Sequence, residues 1–194
     1  MNQNIGHRIR EVLFENPTKE FHIRSIAREL KIPKSTVNYY VKDIIKEGLV
    51  VKKIEGVFPS IIANEISEKY RFYKKQHALE RLFESKIIEY LEGFYPKCII
   101  LFGSFAKGEY DKESDIDIFM QCSDEKINLN IFEKRLKHKI NILFEPNIMK
   151  LSPELLNNII NGTKLRGYVT IKNERNNVLG DVHKKPYKNS PNRL

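Results

Sequence analysis

An α+β fold built from two units is predicted by three features of the 194-residue sequence. Apolar residues recur at helical spacing through most of the first 92 positions, interrupted by a hairpin-like pattern after Gly48. Two strand-sized apolar runs follow, Cys98–Phe102 and Ile116–Phe119. Charge divides the chain in the same way. Residues 1–64 carry 11 basic and 7 acidic side chains, residues 65–171 carry 17 and 16, and residues 172–194 carry 6 and 2. Basic ends around a balanced middle suggest two functional units and a tail, the first unit suited to a polyanion. An apolar share of 41% supports a core and excludes wholesale disorder. No run approaches the ~20 apolar residues of a membrane span, and the N-terminus lacks the apolar core of a signal peptide. A cytoplasmic protein with no membrane partner is therefore expected. Cys98 and Cys122 both lie in apolar segments and are expected as small buried hydrophobes in a reducing compartment. Two cysteines make neither a zinc cluster nor a disulfide framework.

The first helix is read from Ile5, Ile9, Val12 and Leu13, and it stops at Asn16-Pro17. A second spans Ile23–Leu30, with Ile23, Ile26, Ala27 and Leu30 on one face. Lys31-Ile32-Pro33 turns the chain, and Lys34-Ser35-Thr36 opens a third helix with a stripe of Val37, Val41, Ile44 and Ile45 that ends at Gly48. Two strands, Leu49–Ile54 and Val57–Ala63, are joined by a Glu55-Gly56 turn. The segment FHIRSIARELKIPKSTVNYYVKDIIKEGLV resembles the winged helix-turn-helix regulators. That resemblance implies a third helix entering the major groove of double-stranded DNA and a hairpin touching phosphates. The residues left outward are Ser35, Thr36, Asn38, Tyr39 and Lys42, with Lys52 and Lys53 on the hairpin; these types reach phosphates and base edges. A protein-binding or dimerising role for the same module is the alternative.

Residues 65–92 contain no Pro or Gly, and Ile66, Tyr70 and Tyr73, then Leu79, Phe83 and Ile87, predict one long connecting helix. His77 reads as a packing or surface residue, because no second His or Cys lies at ligand spacing. No zinc site is expected.

The chemistry is concentrated in KCIILFGSFAKGEYDKESDIDIFMQ, residues 97–121. A buried strand, Cys98–Phe102, ends in Gly103-Ser104. Phe105–Gly108 begins a helix, and Ser114-Asp115-Ile116-Asp117 opens a second strand. Residues two apart on a strand project to one side, so Asp115 and Asp117 share a pocket. Their repulsion is tolerable if divalent cations sit between them, an arrangement that serves phosphoryl transfer. Gly103 lets the backbone approach a phosphate, and Ser104 offers a hydroxyl and a main-chain N–H. Lys107 can steer phosphate and Gly108 relaxes the turn.

This combination resembles the nucleotidyltransferases of the DNA polymerase beta superfamily, particularly the minimal ones, over roughly residues 85–171. The resemblance implies a mixed sheet with flanking helices. It also implies triphosphate binding at Gly103 and Ser104, and Mg²⁺ at Asp115 and Asp117. The implied reaction moves a nucleoside monophosphate from an NTP, ATP being the expected one, to a hydroxyl. The third carboxylate of that family falls, in this chain, at Asn141, in Lys139–Phe144 after a helix at about Leu129–His138. An amide oxygen can ligate metal but cannot accept a proton. Some minimal members act as antitoxins that add AMP to a partner toxin, which makes a protein or toxin partner an expectation by resemblance. The alternative function is a transcription regulator whose degenerate domain senses a nucleotide. A scaffold that binds neither nucleotide nor DNA is the third option.

Ser152-Pro153-Glu154 opens a last helix, Asn161-Gly162 ends it, and Gly167–Ile171 reads as a final strand. The expected organisation is a winged helix over 1–64, a connecting helix over 65–92, a nucleotidyltransferase unit over 93–171 and a basic, mobile tail over 172–194. A homodimer would suit DNA half-sites.

Overall fold

The computed structural model describes residues 5–54 and 59–171. The Glu55-Gly56 turn, Val57 and Phe58 at the start of the second hairpin strand, and the basic tail lie outside the described residues. Three helices open the chain: α1 (Ile5–Glu15), α2 (Ile23–Leu30) and α3 (Lys34–Lys46). Each forms where its apolar stripe predicts. Ile9, Val12 and Leu13 of α1, Ile26 of α2, and Val37, Val41 and Ile44 of α3 are all buried. Gly48 takes a left-handed φ of 77° behind α3. This turn lets its N–H and that of Leu49 bond back to Ile45 and Ile44, satisfying carbonyls the helix leaves open.

An antiparallel pair follows, β1 (Val50–Lys53) and β2 (Ser60–Ala63), with Val50 opposite Ala63. β1 is shorter than the predicted Leu49–Ile54. Phe21, before α2, bridges Ile61 and closes the hairpin onto the helices.

The single long helix predicted over 65–92 is instead two: α4 (Glu68–Ser85) and α5 (Ile87–Glu92). Ser67 caps the start of α4 by accepting from the Tyr70 N–H. The break falls at Lys86, whose φ is 68°. Ser85 stabilises it by donating to the Leu82 carbonyl while accepting from the Ile87 N–H, so groups freed by the break keep partners. The buried stripe of α4 also differs from the predicted one. It runs Tyr70, Lys74, His77, Ala78, Leu82 and Ser85, whereas Ile66 precedes the helix and is exposed and Phe83 faces outward. Polar residue types hide this face from a hydrophobicity pattern. Lys74, with its ammonium 4.7 Å from the Tyr110 ring centre and 5.5 Å from that of Tyr70, is buried and pushed down to about 8 by desolvation.

The second half is a four-stranded mixed sheet in the order β5-β4-β3-β6. Its strands are β3 (Cys98–Phe102), β4 (Ile116–Met120), β5 (Ile140–Phe144) and β6 (Thr163–Gly167). Between them lie α6 (Gly103–Lys107), α7 (Asn130–Leu136), a 3-10 turn (Ile148–Lys150) and α8 (Pro153–Ile160). β3 runs antiparallel to β4 and β6, while β4 and β5 are parallel, joined through α7. The last strand falls four residues earlier than the predicted Gly167–Ile171. Gly167 ends it with a φ of 67° because its Cα lies against the Lys97 carbonyl, where no Cβ fits. Thr163–Gly167 is thus the stretch that lies flat along β3.

Period-two alternation splits the sheet between two cores. Ile99, Leu101, Ile116, Ile118 and Met120 join the large core that continues into α1, α4 and α7. Cys98, Ile100 and Phe119 face the other way, against Ile159 of α8. Cys98 is buried as expected, and Cys122 is half-buried just past β4. No described helix is long and apolar enough to cross a membrane.

Candidate active site

The chain between β3 and β4 reverses at Gly103, which has a φ of 70° and immediately begins α6. A Cβ there would stand 2.5 Å from Oδ2 of Asp117, so the bare Cα is what lets that carboxylate lie over the turn. Antiparallel pairing sets this contact, since Phe102 stands opposite Asp117. Parallel pairing then brings in Asn141, directly opposite Asp117 on β5. The Asn141 amide nitrogen donates to both carboxylates, to Asp117 Oδ1 at 3.1 Å and Asp115 Oδ2 at 3.3 Å. One nitrogen reaching both oxygens places the two aspartates on one side of the strand. Both are half-buried, and Asn141 is exposed. Asp117 shares the sheet face of Phe119, the face that α8 covers further along, and it marks where that face becomes open to solvent.

Ser104 is half-buried in the first turn of α6, adjoining Gly103. Lys107 is exposed in the last turn. Gly108 is not part of the turn beside the aspartates: it closes the far end of α6 in a left-handed conformation, against the Arg71 carbonyl of α4. Its bare Cα serves helix packing there.

A supporting network invisible to local motifs fixes the loop before β4. The His138 Nδ1 lies 2.8 Å from the Ser114 carbonyl, next to Asp115. The other ring nitrogen meets Glu15 of α1 at 3.0 Å, and Glu15 also pairs with Arg81 of α4. Arg81 donates in turn to the Leu136 carbonyl, and the Glu15 carbonyl accepts from the Lys112 N–H at 2.9 Å. Residues 123 positions apart thereby hold the aspartate loop.

Burial alone would raise the Glu15 carboxyl, but the His138 contact and charge, then Arg81, outweigh it and hold it below its ordinary 4.5. A depressed carboxyl contributes stability above that ordinary value and loses it as pH falls through the lowered folded value. We expect Glu15→Gln to cost about 2–4 kcal/mol at pH 7. Its thermal unfolding will also depend less on pH between 5 and 3 than that of the wild type. Equal pH slopes would remove Glu15 from the network.

The residues expected to read DNA divide in two. Ser35, Asn38, Tyr39 and Lys42 are exposed on α3, with Thr36 half-buried beside them. Lys52 and Lys53, adjacent on β1, point to opposite faces of the hairpin. Lys52 is exposed, whereas Lys53 is bound to Glu20 at 2.6 Å.

The donor set beside Gly103 suits a hard divalent cation: two convergent carboxylates, and an amide whose oxygen can turn inward. Residues 85–166, which include Gly103, Ser104, Asp115, Asp117 and Asn141, match the family model described as Polymerase beta, Nucleotidyltransferase. That segment is a nucleotidyltransferase domain. Over 57 residues the chain is 39% identical to a protein of Methanocaldococcus jannaschii provisionally named a protein adenylyltransferase. The match covers 27% of this chain and 58% of that protein, so the chain spans little more than half the length of this curated relative. No solved structure matches the chain.

Proposed function

We propose that this chain transfers a nucleoside monophosphate, AMP from ATP, to a hydroxyl on a protein acceptor. The observation that carries the reading is the convergence of Asp115 and Asp117 on one amide nitrogen beside the Gly103 turn. The relative's name favours adenylyl transfer to protein, and a toxin encoded beside the chain is one form such an acceptor could take. Asp115 and Asp117 would hold Mg²⁺, which when bound neutralises charge on the triphosphate. The Gly103 backbone and the Ser104 hydroxyl and N–H would seat the phosphates. Lys107 would add positive charge at the rim. In the transfer the acceptor oxygen attacks the α-phosphorus, the bond to the β-phosphate oxygen breaks and pyrophosphate leaves. The acceptor proton passes to solvent water or to the departing pyrophosphate, because Asn141 offers no carboxylate to take it, and this chain's contribution is binding and orientation.

Asn141 also favours a second reading, a regulator that binds a nucleotide and transfers nothing. Incubation with α-labelled ATP, Mg²⁺ and cell extract tests the two. Label on protein supports transfer; Mg²⁺-dependent ATP binding with no labelled product supports sensing.

The first 64 residues form, on this proposal, a winged helix that binds double-stranded DNA, as a dimer if the site has two half-sites. Support comes from the helix-helix-helix-hairpin order and from the exposed Ser35, Asn38, Tyr39 and Lys42 on α3. Because Lys53 is engaged by Glu20, Lys52 is the hairpin cation best placed for a phosphate. Such binding would weaken steeply with salt.

A further inference from the structure

We propose that His7, His77 and Glu80 form a binding site for a divalent transition metal of the zinc class, tying α1 to α4. The site is independent of the transfer chemistry. Sequence spacing conceals it, because the two histidines lie 70 positions apart and packing of α1 on α4 brings them together. On α4, His77 and Glu80 are three residues apart and therefore neighbours on one side of the helix. His7 comes from the first turns of α1. One ligand atom from each of the three lies within 4.8 Å of the others. Nδ1 of His7 stands 3.6 Å from Oε2 of Glu80, and the two imidazole centres are 6.0 Å apart.

The second observation is the state of His77. The residue is only 6% exposed, and its Nε2 is buried with no hydrogen-bond partner among the described residues. A buried orphan nitrogen in a ring that already faces another histidine is costly as pure packing. Phe14, its ring centre 5.4 Å away, flanks the imidazole.

Two nitrogens and one carboxylate oxygen suit zinc better than Mg²⁺ or Ca²⁺, which prefer oxygen throughout. Tetrahedral ligands at ~2.0–2.1 Å from zinc lie roughly 3.4 Å from each other. Closing from the present spread needs a shift of little more than an ångström, which His7 and Glu80 can supply, since their side chains are 47% and 56% exposed. Water would complete the coordination. Arg81, one turn beyond His77, does not leave an uncompensated positive charge there, because Glu15 and Glu11 both pair with it. Since α4 also packs on α6 and α7, a metal here would fasten the first helix to the transferase half.

The test uses the full chain carrying Asp115→Asn and Asp117→Asn, which silences the other carboxylate pair, stripped of metal with a chelator. Calorimetric titration with Zn²⁺ should show one equivalent bound, and Zn²⁺ should raise the melting temperature where equal Mg²⁺ does not. His7→Ala and Glu80→Ala, both at exposed side chains, should each weaken Zn²⁺ at least about tenfold and abolish the thermal shift. Absence of saturable Zn²⁺ binding, or binding undiminished in these two variants, would overturn the proposal.

Discussion

Combined Asp115→Asn and Asp117→Asn substitution will lower nucleotidyl transfer by about 10³-fold or more while the protein stays folded. The magnitude follows from losing the charges that hold a divalent cation, a contribution of several kcal/mol at about 1.4 kcal/mol per tenfold in rate. Retention of the fold follows from what the carboxylates do not do. Among the described residues neither is in an ion pair, and their bonds to Asn141 are available to neutral amides as well. Replacing two crowded negative groups with amides removes a repulsion, so the melting temperature without metal should hold or rise. Labelled transfer and a thermal melt on the same preparation check both halves. Loss of transfer accompanied by collapse of the melt would mean that the aspartates are structural.

The opposite expectation attaches to Asn141→Asp. Register pairing puts residue 141 directly across from Asp117, and its side chain already reaches both carboxylates. An aspartate there would offer a base to the attacking hydroxyl, and a general base contributes about 10²–10⁴ in rate. The variant should therefore transfer AMP faster by a factor in that range if the acceptor is bound productively. It should also depend more on metal for stability, because it exchanges two donated hydrogen bonds for a third negative charge. An unchanged rate would locate the limiting step elsewhere, in acceptor binding or product release. Appearance of transfer only in this variant would identify the natural chain as the nucleotide sensor.

The candidate site was legible because its geometry is set by short-range rules. Alternation on β4 places Asp115 and Asp117 together, and an apolar strand ending in Gly103 has to turn at that glycine. Asn141 could be aligned for the same reason, as a lone polar residue in an apolar run. What escaped the sequence is contact across distance. The buried face of α4 contains Lys74 and His77, whose burial depends on Tyr110 and Phe14 in other elements. The break at Lys86 rests on one serine hydroxyl serving both sides of it. Gly108 lies close in sequence to the phosphate turn, yet α4 is what it packs against. The Glu15–His138 link joins the first helix to the aspartate loop, and no local pattern could announce it.

On the proposed function, the aspartate pair and the Gly103 turn together seat a metal-bound triphosphate. Calorimetric titration of the full chain with ATP tests it most directly, in Mg²⁺ and in chelator, for the wild type, Asp117→Asn and Gly103→Ala. Gly103→Ala belongs in the set because its added methyl must displace Asp117 Oδ2 and adopt a φ of 70°, a strain of order 1 kcal/mol or more. The account predicts saturable binding by the wild type in Mg²⁺ alone, with both variants at least about tenfold weaker. Equal ATP affinity with and without Mg²⁺, or undiminished affinity in Asp117→Asn, would contradict it.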